Sequence, residues 1–501
     1  METNNKVFIG MLESHQISYP KADFGFSPSI AYPEYPFETL SKKPNDVYEM
    51  VRYGLHALHL DDDNYGLKEW NPLGDMIHLG DTVVIKPNMV MHQNRIKQNG
   101  TDCMITHPSL VRTIIDYSLI ALKGTGKVVV ADAPIQECDY ELMMDVSGYN
   151  NLINYYRTKG IQIDFIDLRN YKTHVEHGVN IQQEISNPNS SFKVDLARNS
   201  AFADIPAKRF DKLRVTNYDP AIMSQHHSPD KNEYSIAAEI LNADVIINMP
   251  KPKTHRYAGL TLSLKNMIGI NTNKEWLPHH TVGSNMEGGD AYLYCNVLKN
   301  ISDVFVDRKN RALGSKRYII ARIYVNLAIG TGLISRFISK DDFRNGSWYG
   351  NDTIWRTILD LNRIVRYADK NGNLCDFPQR KIFNIADMII SGEKEGPLSP
   401  SPKQVGIIAM AEDAVCMDEV LATIMGVDYH NIPSINNARL PHQFPIGCSN
   451  EAHIISNNSK WDNKDCSQLS SDDCLSFVLT KGWKNYKSGY CDTDIKKSNQ
   501  E

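Results

Sequence analysis

The sequence lacks a short cysteine motif that could hold a metal or a cluster. Nine cysteines are scattered over 501 residues. None of them forms a CxxC pair, which argues against a zinc ribbon and against a ferredoxin-type iron–sulfur cluster. The odd count and the wide spacings argue against a disulfide framework in a chain of this length. We therefore expect reduced thiols and a cytoplasmic location.

The sequence also lacks a clean apolar run of membrane-spanning length. Its most apolar stretch, Tyr318 to Ile334, is interrupted by Arg322 and Asn326. It falls short of the ~20 clean apolar residues that a membrane helix needs. The N-terminal segment is too polar for a signal peptide, which carries an apolar run after basic residues. The sequence predicts no membrane span.

No large excess of charge of either sign is present. Lys and Arg number 54 and Asp and Glu number 59, so the formal charge is −5. Nucleic-acid-binding proteins normally carry a basic excess that neutralises phosphates, so we expect no nucleic-acid partner. Hydrophobic residues make up 42% of the chain, which is too much for intrinsic disorder. The length corresponds to about two to four domains.

Short apolar runs that alternate with helical patterns predict an α/β fold. We expect parallel or mixed sheets with flanking helices, arranged as two lobes around a cleft. The predicted strands are 6–11, 81–86, 127–131, 161–167, 244–248, 385–390 and 405–409. The predicted helices are 47–60, 108–122, 140–159, 234–242 and 418–425, with a mostly helical region at 302–367.

The same patterns divide the chain into five parts. The predicted parts are an N-terminal extension at 1–78, an α/β lobe at 79–270, a mainly helical insertion at 271–380, an α/β segment at 381–448 that completes the body, and a polar C-terminal tail at 449–501. We expect the extension to pack on the body and the tail to be loosely packed.

Polar and charged residues follow several of the predicted strands. Ligands of open α/β sheets bind beyond the carboxyl ends of the strands, so these residues are candidates for one site. The candidates for substrate binding are Lys86, Asn88, Lys251, Lys253, Lys265, Asn266, Glu395 and Asp413. For Glu395 the alternative is a position in a turn, and for Asp413 it is a helix cap.

The richest of these segments is the loop Lys251–Lys265. It holds four permanent positive charges and one histidine. Gly259 permits close approach of the backbone to a ligand. A helix predicted to begin near Leu260 would add free N–H groups and partial positive charge. The combination suits a carboxylate or a phosphate, and the alternative is a surface loop with solvated lysines.

Two histidines are candidates for catalytic proton transfer, because imidazole titrates near neutral pH. His107 lies in Thr106-His107-Pro108 at the entry to a predicted helix, and His255 lies in the basic loop. The alternative for each is a structural or exposed histidine. No HExxH motif, P-loop ending or GxGxxG fingerprint occurs, so a metal site would have to be assembled from distant segments.

Five segments taken together resemble a known family. They are VVIKPNM (83–89), THPSLVRTII (106–115), KVVVADAP (127–134), ADVIINMPKPKTHRYAGLTLSLKNMIG (243–269) and residues 385–426. In this order they resemble the bacterial and archaeal family called domain of unknown function 362, over roughly 81–428. Some members carry a ferredoxin-like iron–sulfur module, whose cysteine cluster has no match here. The chain resembles a longer subgroup without that module, and this resemblance implies a link to surface-polysaccharide gene clusters.

A more distant likeness is to the nickel-pincer lactate racemases. It rests on Thr106-His107 and on His255, which is followed by Ala258 and Gly259. The likeness implies that His255 contacts a metal and that His107 acts as an acid/base. The early Asp-x-x-Arg motif of those racemases is replaced here by Lys86-Pro87-Asn88. Because of this departure, the likeness alone assigns neither the cofactor nor the substrate.

Two functions are compatible with these features. The first is a cytoplasmic enzyme that acts on a small anionic metabolite, a hydroxy acid or a sugar derivative. It would work by histidine-mediated proton transfer, as an isomerase or racemase or as an oxidoreductase. A divalent metal is one candidate cofactor and an iron–sulfur cluster is not expected. The second is a non-catalytic binding or assembly protein of a surface-polysaccharide pathway that docks through Ser302–Tyr367. Besides the metabolite, the expected partner is a second copy of the chain or a pathway enzyme.

Overall fold

A mixed β-sheet forms the centre of the fold. The computed structural model describes residues 4–13, 17–176, 179–185, 190–216, 218–339, 342–484 and 486. In this part of the chain, the strand order of the main sheet is β18-β17-β1-β16-β15-β11-β2-β3-β4, and β12 and β13 extend it next to β15. The block β15-β11-β2-β3-β4 is parallel, whereas β16 runs antiparallel to both β15 and β1. The predicted α/β class is confirmed, with a mixed sheet.

The strands are β1 (Lys6–Met11), β2 (Thr82–Pro87), β3 (Lys127–Asp132), β4 (Asp164–Asp167), β5 (Tyr171–Glu176), β6 (Val179–Glu184), β7 (Ser191–Asp195), β8 (Leu213–Arg214), β9 (His227–Ser228), β10 (Lys231–Ala237), β11 (Val245–Met249), β12 (Lys253–His255), β13 (Gly259–Thr261), β14 (His280–Thr281), β15 (Lys381–Glu395), β16 (Ser399–Ala411), β17 (His453–Ser456) and β18 (Lys464–Asp465).

The helices are α1 (Asp46–Ala57), α2 (Pro108–Leu122), α3 (Tyr140–Val146), α4 (Tyr149–Thr158), α5 (Ala207–Phe210), α6 (Pro220–His226), α7 (Ala238–Leu241), α8 (Ser263–Asn266), α9 (Val297–Gly314), α10 (Tyr318–Ile338), α11 (Ile354–Tyr367), α12 (Ala414–Ile424) and α13 (Pro433–Asn436).

Both faces of the main sheet are buried under helices. Successive side chains of a strand point to opposite faces, and Val83 and Ile85 accordingly belong to one apolar core while Val84 belongs to another. Helices α1 to α4 contribute to the core on the first face, and α11 and α12 cover the second. This three-layer arrangement explains why β2, β3 and β11 are continuous apolar runs.

The predicted helix 140–159 is divided into α3 and α4. Gly148 between them adopts φ +86°, a left-handed conformation that ends a helix and that glycine adopts without steric penalty. The predicted helix 234–242 is wrong over its first half, which belongs to β10. Tyr234 and Ile236 point into the core on either side of Ser235, and over so few residues this alternation resembles a helical period.

Strands from the first and the last described segments of the chain belong to the main sheet. Strand β1, within the predicted extension, pairs with β16 on one side and with β17 of the predicted tail on the other. The expectation of a loosely packed tail is wrong for its described part, because Trp461 and Trp483 are almost fully buried there. The polar composition of the tail did not predict its close packing, because a few aromatic side chains are enough to anchor a polar segment to the core.

Candidate functional site

A cavity of about 390 Å³ lies at the carboxyl edge of the parallel strands. Its walls come from the segments that follow β2 and β3, from the β12–β13 hairpin, and from the segment after α8. The lining is completed by Val215, Thr216, Tyr218, Lys274, His279, Asn345, Pro397 and Leu398. This is the position at which ligands bind in open α/β sheets.

A buried ion pair forms the base of this region. Lys86 Nζ lies 2.7 Å from Asp132 Oδ1, and both side chains are inaccessible or nearly so. Asp132 Oδ2 also accepts the N–H of Met89 at 2.7 Å. Burial lowers the pKa of Lys86, and the Asp132 carboxylate opposes that shift. The pair joins the ends of β2 and β3, and only the Asp132 side lines the cavity.

Four asparagine side chains form a continuous hydrogen-bonded row next to the ion pair. Asn88 Nδ2 donates to Asn266 Oδ1 at 2.8 Å, and Asn266 Nδ2 donates to Asn248 Oδ1 at 2.8 Å. Asn248 Nδ2 in turn donates to Asn384 Oδ1 at 2.9 Å. Each amide therefore has a determined orientation, because its oxygen accepts from one neighbour while its nitrogen donates to the next. The row connects the cavity wall to β11 and β15.

Lys253 is held in place by hydrogen bonds to other residues of the protein. Its ammonium group contacts Asn88 Oδ1 and donates to the carbonyl of Met104 at 2.7 Å. Burial, and after it the charge of Lys251, holds the pKa of Lys253 well below its ordinary value. Lys253 thus orients Asn88 at the cavity wall.

Lys265 is the cation best placed to bind a ligand. It lines the cavity and makes no hydrogen bond or close ion pair with any residue in the described part of the chain. Burial lowers the pKa of Lys265 to about 8, and the positive charge of Lys86 adds to this shift. Lys274 also lines the cavity, but it donates to the carbonyls of Ala133 at 2.9 Å and Ile268 at 3.4 Å.

One ring nitrogen of His255 is already hydrogen-bonded to the backbone, which leaves the other for a ligand. Its Nδ1 accepts the backbone N–H groups of Tyr257 at 3.1 Å and Ala258 at 3.2 Å. Burial, and then the charge of Lys265, holds the pKa of His255 well below its ordinary value, so the ring is neutral at pH 7. A neutral imidazole whose Nδ1 accepts carries its proton on Nε2. His255 therefore presents an N–H donor rather than a lone pair for a metal.

The comparison with protein families rests on the segments that build this site. A family model described as "Domain of unknown function (DUF362)" matches residues 83–197 and 186–423, which is more than half of the chain. The chain belongs to the DUF362 family. The matched ranges include the Lys86–Asp132 pair, the asparagine row, Lys265 and His255, so the cavity is built mainly from the DUF362 region.

Other comparisons add little to this assignment. A search of curated proteins finds no match to this DUF362 member. A crystal structure of a protein from Thermotoga maritima, a structural genomics target, aligns at 12% identity with a TM-score of 0.29. The alignment covers 75% of this chain and 58% of the other.

Two further polar groups of the DUF362 cavity lack partners. Gln136 is 1% exposed, and neither its amide nitrogen nor its amide oxygen has a hydrogen-bond partner in the described part of the chain. The hydroxyl of Thr261 is also buried without a hydrogen-bond partner in the described part of the chain. Both residues line the cavity. Buried polar groups are normally hydrogen-bonded, so these two mark positions that a polar ligand would occupy.

Two of the predicted site residues lie outside the cavity, in a separate buried cluster. Lys251 forms an ion pair with Asp387 at 3.0 Å and contacts the hydroxyl of Tyr19. His107 stacks on the ring of Tyr19 at 3.8 Å between centroids, and its Nδ1 accepts the Ser109 N–H as a helix cap. Neither residue lines the cavity. The physical reason is that the loop between β11 and β12 directs Lys251 toward β15 and Lys253 toward β2.

Glu395 and Asp413 are also absent from the cavity lining. Glu395 is exposed and accepts the N–H of Lys481 at 2.8 Å. Asp413 caps α12 by accepting the N–H groups of Val415 and Cys416, and it accepts the N–H of Cys448 at 2.6 Å. Asp413 thus has the helix-cap role, whereas Glu395 is the last residue of β15, directly before the turn that leads to β16.

Asp413, Cys416 and Cys448 place three metal-ligating atoms within 4.8 Å of one another. The arrangement does not fit a cation. The guanidinium of Arg439 lies 3.5 Å from Cys416 Sγ and 3.9 Å from Cys448 Sγ. Its positive charge next to both sulfurs repels a metal cation.

The predicted set left out most of the residues that line the cavity, among them Lys274, Gln136 and Asp132. Asp132 carried a signal, because it directly follows a predicted strand. Lys274 and Gln136 carried none, because both lie several residues beyond the nearest strand end and enter the cavity through the path of the loops. No local pattern encodes that path.

Proposed function

We propose that this DUF362 protein is an enzyme that binds a small anionic metabolite in the cavity and transfers a proton through Lys265. The observation that carries this proposal is the position of Lys265, a cation without a close partner in the described structure, inside a concave site. An unpaired charge in a partly desolvated site is costly, and an anionic ligand would compensate it.

The charge of the cavity wall supports an anionic ligand. Five basic residues line it, two of them arginines, against Asp132 and Glu137. The five are Arg95, Lys253, Arg256, Lys265 and Lys274. Asp132 is already paired with Lys86. A carboxylate or a phosphate would therefore enter a site with surplus positive charge.

The size and the polar groups support a metabolite rather than a macromolecule. Small-molecule sites have volumes of roughly 300–1,000 Å³, and this cavity of about 390 Å³ lies at the small end. The Nε2–H group of His255 would donate to an oxygen of the ligand. Gln136 and Thr261 would pair with hydroxyl groups. This set of donors and acceptors suits a hydroxy acid or a sugar derivative.

Lys265 has the titration behaviour that a proton-transfer group needs. A lysine whose pKa is about 8 exchanges its proton near neutral pH, whereas an ordinary lysine does not. His255 lacks this property in the resting protein, because Nδ1 accepts two backbone N–H groups and Nε2 already carries the proton. Lys265 thus takes the acid/base role that the sequence suggested for histidine, and His255 orients or polarises the ligand.

The test is ligand-induced thermal stabilisation with inorganic phosphate, a series of hydroxy acids and a series of sugar nucleotides. At least one of these is expected to raise the melting temperature of the wild-type protein. Lys265→Met should abolish the shift, and Lys208→Met, which removes an exposed lysine, should preserve it. The proposal fails if no anion stabilises the protein, or if Lys265→Met responds as wild type does.

A non-catalytic binding protein would give the same thermal shifts, so turnover needs its own measurement. For a stabilising hydroxy acid, proton transfer at carbon exchanges the substrate proton for deuterium in D₂O, and proton NMR measures the loss of its signal. Exchange that depends on Lys265 supports the enzyme. Stable binding without exchange or product would favour the binding or assembly protein.

A further inference from the structure

The helical hairpin formed by α9 and α10, residues 297–338, presents an unusual surface. Twenty-one of its residues are exposed, and twelve of these are large apolar side chains. Phe337 is 91% exposed, Ile319 80% and Val297 71%. Soluble proteins rarely expose contiguous apolar patches of this extent without a partner.

The large apolar side chains of α10 face away from the protein, and the small ones face inward. The buried positions of α10 are Ala321, Ala328, Gly332 and Ser335. Ser302 of α9 donates to the carbonyl of Ala328 at 3.1 Å, which shows how closely the two helices pack. A core-facing helix normally shows the opposite pattern, with its large apolar residues buried. The outward face therefore requires an apolar environment outside the protein.

The exposed charges on the hairpin have one sign. Six of the exposed residues are Lys or Arg and none is Asp or Glu, although the whole chain has a net charge of −5. The six are Arg308, Arg311, Lys316, Arg317, Arg322 and Arg336. Five of them lie between residues 308 and 322, at the end where the two helices are joined.

Interactions with the rest of the protein hold the hairpin in this orientation. Asp307 of α9 pairs with Arg214 of β8 at 2.8 Å. Arg344, in the segment after α10, donates to the carbonyl of Gly332 at 2.5 Å. By length and composition, α10 alone could cross a membrane, and it is the one helix in the described chain with that property. Its packing on α9 instead favours a hairpin that lies along a surface.

We propose that the α9–α10 hairpin docks this protein onto an anionic phospholipid membrane. Apolar side chains would enter the boundary between headgroups and acyl chains. Arg and Lys side chains would extend to the phosphates, as in other interfacial helices. A second copy of the chain fits less well, because a twofold contact would bring two sets of exposed cations together, and no exposed Asp or Glu lies on the described hairpin to balance them. The proposal is independent of what the cavity binds.

The experiment is flotation of the purified full-length protein with lipid vesicles. One set of vesicles contains phosphatidylcholine alone, and the other contains equal parts phosphatidylcholine and phosphatidylglycerol. We expect flotation with the anionic vesicles, at least about tenfold weaker binding to the neutral ones, and weakening as salt is raised. Absence of flotation with anionic vesicles, or equal flotation with both sets, would overturn the proposal.

Two variants separate the apolar from the electrostatic contribution, and each has a matched control. The apolar variant is Ile323→Ser/Leu333→Ser/Phe337→Ser, and its control is Leu67→Ser/Leu79→Ser/Phe377→Ser, which changes large apolar side chains that are exposed elsewhere. The charge variant is Arg308→Glu/Arg311→Glu/Arg317→Glu, and its control is Lys97→Glu/Arg157→Glu/Lys208→Glu. Both hairpin variants should lose flotation and both controls should keep it. Loss in the controls as well would contradict a role specific to the hairpin.

Light scattering of the same proteins without lipid tests whether a second copy of the chain covers the hairpin instead. A monomeric wild-type protein is the expected result. If the wild type is a dimer that Phe337→Ser converts to a monomer, and if neither form floats, a second copy covers this face and the membrane proposal is wrong.

Discussion

The ammonium group of Lys86 and the carboxylate of Asp132 meet at 2.7 Å where β2 and β3 end, and a third element approaches them without a side chain. Gly269 lies so close that a Cβ atom on it would be 1.9 Å from Asp132 Oδ1 and 2.8 Å from Lys86 Nζ. The base of the cavity thus depends on a charge pair and on the absence of one methyl group.

Breaking this charge pair should destabilise the protein more than replacing it. Lys86→Met or Asp132→Leu alone leaves one buried charge without its partner, which costs about 3–5 kcal/mol. The double variant Lys86→Met/Asp132→Leu leaves no unpaired charge and should recover a large part of the lost stability. Urea denaturation measures the free energy of unfolding. If both single variants unfold at the wild-type midpoint, the pair is not structurally important.

Gly269→Ala should disrupt the same base through steric overlap. The new methyl group cannot coexist with the present Asp132 rotamer, so we expect lower stability and weaker anion binding together. Gly330→Ala is the matched control, because Gly330 lies in α10 with open space around its Cβ position. Alanine there should stabilise by up to about 1 kcal/mol. Equal melting temperatures for the two variants would contradict the described packing.

Anion binding and stability should respond to pH in opposite directions because of Lys265. Below its pKa of about 8 the side chain is a cation, so anion affinity should fall as pH rises through about 8. In the unfolded chain its pKa returns to the ordinary 10.5. Between these values the unfolded chain holds more protons than the folded one, so stability rises with pH.

Lys265→Met removes both dependences if Lys265 is their source. The variant should show a flatter stability profile between pH 8 and 10.5 than the wild type, and any weak anion affinity that it retains should not fall in that range. Calorimetric titration with phosphate and urea denaturation at several pH values supply the measurements. A wild-type profile in Lys265→Met would assign the titration to another group, such as Lys274, whose pKa burial lowers to about 7.

Two substitutions of His255 should separate its structural role from its ligand role. His255→Asn retains an acceptor near the Nδ1 position for the N–H groups of Tyr257 and Ala258, but it removes the Nε2–H donor. His255→Ala removes both. We expect anion affinity to fall at least about tenfold in each variant, which corresponds to about 1.4 kcal/mol, and stability to fall mainly in His255→Ala. Wild-type affinity in His255→Asn would exclude the donor role, and ¹⁵N NMR of the ring reports the tautomer directly.

Trp483 should influence the cavity although it lies in the polar tail. Its indole N–H donates to the carbonyl of Arg256 at 3.0 Å, and its ring covers Gly259, which has φ +76°. Trp483→Ala should cost about 3–5 kcal/mol and should also weaken anion binding. Trp461→Ala removes an equally buried indole that bonds to Asp473 instead, so it should reduce stability alone. Equal effects of both variants on binding would rule out a specific support of the basic loop by Trp483.

Patterns within single segments predicted much of the architecture. The apolar runs of β2, β3 and β11 and the helix 108–122 were predicted within one or two residues, because burial on both faces of a sheet requires continuous apolar runs. What these patterns did not predict is how one helix packs on another. Ser302–Tyr367 was correctly expected to be mostly helical, but the outward position of the large side chains of α10 depends on how closely it packs on α9.

The candidate site was predictable in its location and only partly in its members. Lys253, Lys265, Asn88, Asn266 and His255 all line the cavity, because the carboxyl ends of parallel strands converge on one edge. Lys251 and Lys253 are two residues apart in one basic loop, yet one pairs with Asp387 and the other orients Asn88.

The sequence by itself determined the α/β class, the family and the edge of the sheet at which a ligand would bind. Those features follow from local periodicity and from motifs of consecutive residues. Only the tertiary structure decided which lysine remains unpaired, which nitrogen of His255 carries the proton, and that the tail supports the basic loop. The unpaired lysine and the support by the tail depend on partners distant in sequence, such as Asp132 for Lys86 and Trp483 for Arg256. The proton on His255 depends on the turn of the β12–β13 hairpin, which brings the N–H groups of Tyr257 and Ala258 to Nδ1. Neither kind of contact leaves a periodic signal in the chain.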